Sequence, residues 1–337
     1  MSLPPTLFLA PLRGATDYIF RDTLQHHFQG WDCAISPFIT PQNNSDFPDK
    51  TLKDVLPVNN PGLPLIPQLL TNTPEQFLIL SRRLIELGYH HLNWNLGCPA
   101  PQVAKKGKGS GMLPCPDKIV ALLDTVLPEL EQLDCQLSIK MRLGYHAQEE
   151  SFALLPQLNA FPLREITIHT RLGSQIYRGA TDVESFTRCL ELSSHRLIYN
   201  GDIISCADWH TLQKRFPQIS CWMIGRGAIA RPFLAEEIKG GECRDLSGRL
   251  CRFHAELLTR YSSAFSGDTH IIGRMKLIWN FLINSFPFAE KKLLKKVQKS
   301  RTLSQYQDAA ESILQTSIPH SFSNIHEEQK KHLKTES

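Results

Sequence analysis

Eight short β-rich apolar runs constrain this chain more than any other feature. They occupy residues 6–11, 32–38, 63–70, 90–97, 136–144, 165–171, 196–203 and 221–228. Between them lie stretches with helical period or charge, at 18–27, 74–87, 116–133, 149–158, 183–192 and 206–216. Strands that alternate with helices are joined by crossovers and so run parallel. Eight such units in roughly 250 residues is the size of a (β/α)8 barrel. The gap between the second and third runs is rich in Asn, Asp and Pro, and an irregular loop is expected there.

The alternation stops near Leu234. Beyond Gly240 and Gly241, residues 246–263, 272–286 and 304–317 carry helical period, and a shorter basic helix is expected at 291–299. The expectation is therefore an α/β chain: a (β/α)8 TIM barrel over 1–240, an all-helical domain over 241–320, and a polar, disordered tail over 321–337. Within 241–320, Lys and Arg outnumber Asp and Glu by 12 to 7, against a net charge of +4 for the chain. That balance permits a polyanionic partner without requiring one. No apolar run reaches membrane-spanning length and no secretory pattern opens the chain, so a cytoplasmic monomer with no membrane partner is expected. The nine cysteines include no C-x-x-C pair. No zinc or iron–sulfur ligand set is written here, no metal is expected, and free thiols fit a reducing compartment.

Active sites of such barrels form at the C-terminal ends of the strands. The unusual residues fall there: Ala10-Pro11-Leu12 on run one, Gln68 on run three, Asn93, Asn95 and Cys98 on run four. Lys140 and Arg142 follow on run five, His169 and Arg171 on run six, Asn200-Gly201-Asp202 on run seven, and Gly225-Arg226-Gly227 on run eight. The last two turns lie where barrels bind phosphate through backbone N–H groups. Lys140 interrupts an apolar strand; in the mouth it needs an anionic or carbonyl partner, and otherwise it snorkels to solvent. The Gln68 amide can pair with a planar heterocycle. Cys98 precedes Pro99 and so sits on a loop, as a proton donor or an inert thiol. The stretch 105–111 is basic and glycine-rich but does not spell a P-loop. It is either a solvated flexible loop or a contact to phosphate or nucleic acid.

Taken together, these residues resemble the dihydrouridine synthase family. Ala10-Pro-Leu-Arg-Gly-Ala-Thr-Asp17 with Phe20-Arg21 is similar to the family's A-P-M-x-G-x-T-D-x-x-F-R opening. Asn95-Leu-Gly-Cys-Pro99 resembles N-x-G-C-P, and Lys140-Met-Arg-Leu-Gly144 resembles K-x-R-x-G. Ile168-His-Thr-Arg171 with Gln175, Tyr177 and Gly179 resembles H-G-R-T-x-x-Q-x-Y-x-G, and Asn200-Gly-Asp-Ile203 and Gly225-Arg-Gly-Ala228 add two more pieces. The match covers about two-thirds of the chain, in order. Leu12 stands where Met is usual, Thr170 where Gly is, and Leu172 where Thr is; the last two bear on the substrate face of strand six. The resemblance implies reduction of a uridine in tRNA to 5,6-dihydrouridine, with FMN as cofactor and NADPH as reductant. It places FMN against Ala10, Pro11, Leu12, Gln68, Lys140, His169, Asn200, Gly201, Asp202, Gly225 and Arg226. It makes Cys98 the proton donor, sets Asn95 and Arg171 near the uracil, and gives tRNA binding to the helical domain. Two other readings stand beside it: an FMN barrel oxidoreductase acting on a small molecule, and a tRNA-binding barrel that has lost catalysis.

Overall fold

The computed structural model describes residues 4–41 and 47–318. The eight runs form nine parallel strands: β1 (Thr6–Leu9), β2 (Cys33–Ile35), β3 (Leu65–Ile66), β4 (Gln68–Leu69), β5 (His91–Leu96), β6 (Gln136–Gly144), β7 (Ile166–Leu172), β8 (Leu197–Asn200) and β9 (Cys221–Ile224). Their order is β3-β2-β1-β9-β8-β7-β6-β5-β4. The two ends of that order are halves of one chain segment, parted by Pro67. Proline has no N–H to give to a ladder. Before Pro67 the segment pairs with β2, and after it with β5. The sheet therefore closes on itself as a barrel.

The helices around it are α1 (Tyr18–His27), α2 (Asp49–Leu52), α3 (Pro74–Glu86), α4 (Pro101–Ala104), α5 (Pro116–Gln132), α6 (Glu149–Leu158), α7 (Val183–Leu192), α8 (Cys206–Arg215), α9 (Arg226–Ala230) and α10 (Leu234–Ile238). Side-chain caps set several of their starts. Asp182 accepts from Ser185 N at α7, and Ser205 accepts from Asp208 N at α8. Two expectations need correction. The eighth run stops at Ile224, because its Gly225 caps α9 and Arg226–Ala230 are helical. The gap between the second and third runs is not wholly irregular: α2 and the 3-10 turns Lys53–Val55 and Pro57–Asn59 occupy part of it. The expected tail at 321–337 lies outside the described residues.

Four further helices follow: α11 (Leu246–Ala264), α12 (Asp268–Leu282), α13 (Lys291–Lys299) and α14 (Leu303–Leu314). They share a core with the barrel. Phe253 of α11 meets Phe20 and Phe28 edge-on, with centroids 5.8 and 5.6 Å apart. Polar contacts fix the docking: Tyr261 Oη donates to Asp17 Oδ1 at 2.9 Å, and Arg274 Nη1 donates to Gly14 O at 2.5 Å. Burial pushes the Asp17 carboxyl up to about 6. Truncating a buried phenylalanine such as Phe253 to alanine costs about 3–5 kcal/mol, so the helices are part of the barrel's support. Among the described residues, no helix is long and apolar enough to cross a membrane.

Candidate active site

A cleft open to solvent lies at the C-terminal ends of the strands. Ala10, Pro11, Leu12, Gln68, Asn95, Cys98, Lys140, His169, Asn200, Gly201, Asp202, Gly225 and Arg226 all line it. Parallel strands deliver them together because every strand ends at the same face. Arg171 is the exception. It is buried behind the cleft, where its guanidinium donates to Asp202 at 2.5 and 3.0 Å and to Gly179 O at 2.9 Å. Asp202 also accepts from Arg226 at 2.9 Å, so one carboxylate ties β7 to the turn after β9. Arg171 thus stands behind the cleft lining, with its guanidinium bonded to Asp202 and Gly179 O.

The cleft holds more cation than anion. Arg13, Lys140, Arg142 and Arg226 line it, and Asp202 is the one lining carboxylate among the described residues. Lys140 Nζ donates to Asn200 Oδ1 at 3.0 Å, and Asn200 Nδ2 donates to Met223 O at 2.8 Å. Burial, seconded by the Arg142 charge, pulls the Lys140 ammonium down to about 7. The same causes hold His169 well below the ordinary imidazole range, so it is neutral. Arg171 Nη1 lies 3.4 Å from His169 Nε2. A guanidinium only donates, so Nε2 accepts and the ring proton sits on Nδ1. Burial raises the Cys98 thiol above its usual value, the nearby cations opposing it more weakly. Cys98 thus keeps its proton at neutral pH.

Asn95 builds the turn that carries Cys98. Its Oδ1 accepts from Gly97 N at 3.0 Å and from Cys98 N at 2.8 Å. The glycine-rich stretch 105–111 packs beneath. Ser110 donates to Cys98 O from its backbone N at 3.1 Å and from Oγ at 3.0 Å. Gly109 has φ +58°, and a Cβ there would fall 2.7 Å from Cys98 O. The stretch is thus a shelf under Cys98 and not a free loop, with Lys105 and Lys106 exposed at its edge.

Sequence reasoning gave no role to Arg13, Phe38, Arg142, Tyr177 or Met223, which also line the cleft. Arg142 and Arg226 both stack on the Tyr177 ring, 5.5 and 5.3 Å from its centroid. Arg142 stood in the K-x-R-x-G piece and Tyr177 in the Q-x-Y-x-G piece, which was the available signal. Among the described residues, no group of three or more His, Cys, Asp or Glu is placed to hold a metal ion.

A family model described as dihydrouridine synthase (Dus) matches residues 8–314. The chain belongs to the dihydrouridine synthase family. The tRNA-dihydrouridine(16) synthase of Cupriavidus necator is 28 % identical over 295 residues, 84 % of this chain and 89 % of that protein. The tRNA-dihydrouridine synthase B of Yersinia pestis is 28 % identical over 236 residues, 69 % of this chain and 71 % of that one. Among solved structures, a morphinone reductase mutant in complex with tetrahydroNAD aligns with a TM-score of 0.51 at 12 % identity, over 71 % of this chain and 87 % of that one. That likeness speaks for the barrel fold.

The dihydrouridine synthase pattern helps to read Thr170. It is wholly buried and absent from the cleft lining. Successive strand residues face opposite sides. His169 faces the cleft, and Thr170 faces back towards Tyr199 Oη at 3.4 Å. A Cβ on Gly201 would come within 2.4 Å of Thr170 Oγ1. Thr170 thus packs behind Gly201 and is not part of the cleft lining.

Proposed function

We propose that this dihydrouridine synthase reduces the C5–C6 double bond of a uridine in tRNA, with FMN as cofactor and NADPH as reductant. The observation that carries the reading is that Cys98, Lys140 and His169 line one cleft, where burial favours the neutral forms of the thiol and the imidazole. The residues present fit FMN. The cation excess suits its phosphate, the Gln68 carboxamide suits a heterocycle edge, and Ala10, Leu12 and Met223 offer apolar surface. A Cβ at Gly225 would rest 3.4 Å from the Ala10 Cβ, so glycine keeps that strip open. Ala10–Leu12, Gln68, Lys140, His169, Asn200–Asp202 and Gly225–Arg226 would hold the cofactor.

When bound, FMN supplies the hydride that adds to C6 of the uracil ring. Cys98 delivers its proton to C5, and burial keeps that proton in place until it is needed. Asn95 fixes the turn that aims the thiol. Lys140, protonated when it faces an anion, stabilises negative charge in the cleft. Arg171 acts through Asp202 and Arg226 and not on the base. A stacked base does not reach a barrel mouth, so the uridine enters flipped out or already unpaired. The helical region 241–320 supplies the tRNA-binding surface. On α13, Lys291, Lys292, Lys295, Lys296 and Lys299 are exposed, while Val297 is buried on the opposite face.

The test is to incubate purified protein with FMN, NADPH and unmodified tRNA, and to look by mass spectrometry for a gain of two hydrogens on one uridine. Oxidation of NADPH with flavin bound and no change in the tRNA would overturn the tRNA reading in favour of a small-molecule substrate.

A further inference from the structure

The barrel interior beneath the cleft carries a row of polar side chains bonded end to end. Gly97 N and Cys98 N donate to Asn95 Oδ1. Asn95 Nδ2 donates to Gln68 Oε1 at 2.7 Å, and Gln68 Nε2 donates to Asn93 Oδ1 at 2.7 Å. Asn93 Nδ2 donates to Ser138 Oγ at 2.9 Å, and Ser138 Oγ donates to Leu92 O at 3.2 Å. Gln68, Asn93 and Ser138 are fully buried, and Asn95 is 7 % exposed.

The top of the row has fixed polarity, because backbone N–H groups only donate. At the bottom the Ser138 hydroxyl meets both Leu92 O, at 3.2 Å, and His91 Nε2, at 2.9 Å. A carboxamide has one accepting and one donating end. Turning Asn95 over would set its amino group against two N–H groups. Turning Gln68 over would oppose two amino groups at Asn95 and two carbonyls at Asn93. Each amide therefore has one orientation, and buried polar groups in such a row are costly to leave unpaired. Gln68 and Asn95 are the two members of the row that line the cleft. Asn93 does not line it, and neither does Ser138.

We propose that Asn93 and Ser138 are positioning residues that lock the Gln68 carboxamide in one orientation for the edge of a bound flavin. The inference rests on the flavin reading above. Asn93 holds the Nε2 end, and Ser138 holds Asn93. An aspartate at 93, kept protonated by burial, would still accept from Gln68 Nε2 and would donate its acid proton to Ser138 Oγ in place of the Asn93 amide. A leucine at 93 fills similar space but removes the anchor of the Gln68 Nε2 end, leaving only the Asn95 bond to Oε1.

The experiment titrates full-length protein with FMN, reading dissociation constants from flavin fluorescence quenching and the position of the bound flavin's visible band. Asn93→Leu is expected to weaken FMN about 10-fold, the loss of one buried hydrogen bond, and to shift the band. Asn93→Asp is expected to stay within about 3-fold of the parent, because its acceptor remains. In a Gln68→Leu background, Asn93→Leu should add nothing, since it acts only through Gln68. Should Asn93→Leu fail to fold, Ser138→Ala makes the same test at almost constant volume, again with no further loss once Gln68 is gone. Unchanged affinity in the single variants, or equal losses with and without Gln68, would overturn the proposal while leaving the flavin reading intact. A parent protein that takes up no FMN overturns both.

Discussion

Two buried polar clusters in this molecule end differently. In the barrel, the row from Ser138 through Asn93 and Gln68 to Asn95 opens onto the cleft. In the helical region, Tyr306 Oη meets His254 Nε2 at 2.6 Å and accepts from Trp279 Nε1 at 2.9 Å. Those three come from α14, α11 and α12, and all lie in the core. The first row presents its upper end to the cleft; the second closes on itself and pins three helices. Burial alone thus does not mark a functional polar group. What matters is whether its hydrogen bonds are used up before the chain ends.

The largest effect expected from this contrast lies at the cleft. Cys98→Ala removes the proposed proton donor and the thiol's bond to the Ala100 backbone, while the turn stays held by Cys98's own backbone bonds. Turnover on tRNA should fall by about 100- to 10,000-fold, with FMN binding and melting temperature kept. The check is dihydrouridine yield by mass spectrometry beside a flavin titration. Full turnover would move the proton source away from Cys98.

Next comes the helical surface. Changing Lys291, Lys292, Lys295 and Lys296 to alanine together should weaken tRNA binding and reduce its salt dependence, by about one unit of slope for each phosphate no longer neutralised. FMN affinity should not move, because these exposed lysines lie on α13 and none lines the cleft. Filter binding across a salt series decides it. An unchanged slope would place the RNA surface elsewhere. Excising the helices would be a poorer test, because Phe253 shares the barrel's core.

A smaller effect is expected from pH. The Lys140 ammonium sits near 7 in the free cleft, lowered chiefly by burial. An anionic ligand favours the charged form, so binding takes up a proton above that value. FMN affinity should be level below about pH 7 and fall by up to about tenfold per unit above it. Lys140→Met should flatten that limb. A pH-independent affinity in the parent would show that Lys140 does not face the bound anion.

Much of this was legible in the residues. The bounds of β6, α1, α6, α7 and α13 agree with those read from apolar runs, helical period and charge. The cleft lining followed because strand ends converge in a barrel whatever the loops do. What was not legible has tertiary causes. Arg171 stands at a strand end, and its guanidinium is bonded to Asp202, 31 residues on. Pro67 splits one run into two strands because a single missing N–H interrupts the ladder. The row beneath the cleft left a trace that went unread: His91, Asn93 and Asn95 alternate on one face of β5, too polar for an idle barrel interior.

The smallest effect should come from the closed cluster, and its sign is fixed by chemistry. Burial lowers the His254 imidazole to about 4 and raises the Tyr306 hydroxyl, so both are neutral. Trp279 can only donate, so Tyr306 Oη accepts from it and passes its own proton to His254 Nε2. Tyr306→Phe strips both partners of their bond and should cost about 1–3 kcal/mol, a drop of a few degrees in melting temperature. Acid should do the same more gradually. Below the unfolded value near 6.5 the unfolded chain binds the proton that the folded His254 refuses, so stability falls as pH drops from about 6.5 towards 4. At Nε2 that proton would face a hydroxyl already pointing at it. FMN affinity in Tyr306→Phe should equal the parent's, measured at a temperature where both are folded. A loss there would mean that the helical cluster reaches the cleft, and that the two polar clusters are one system after all.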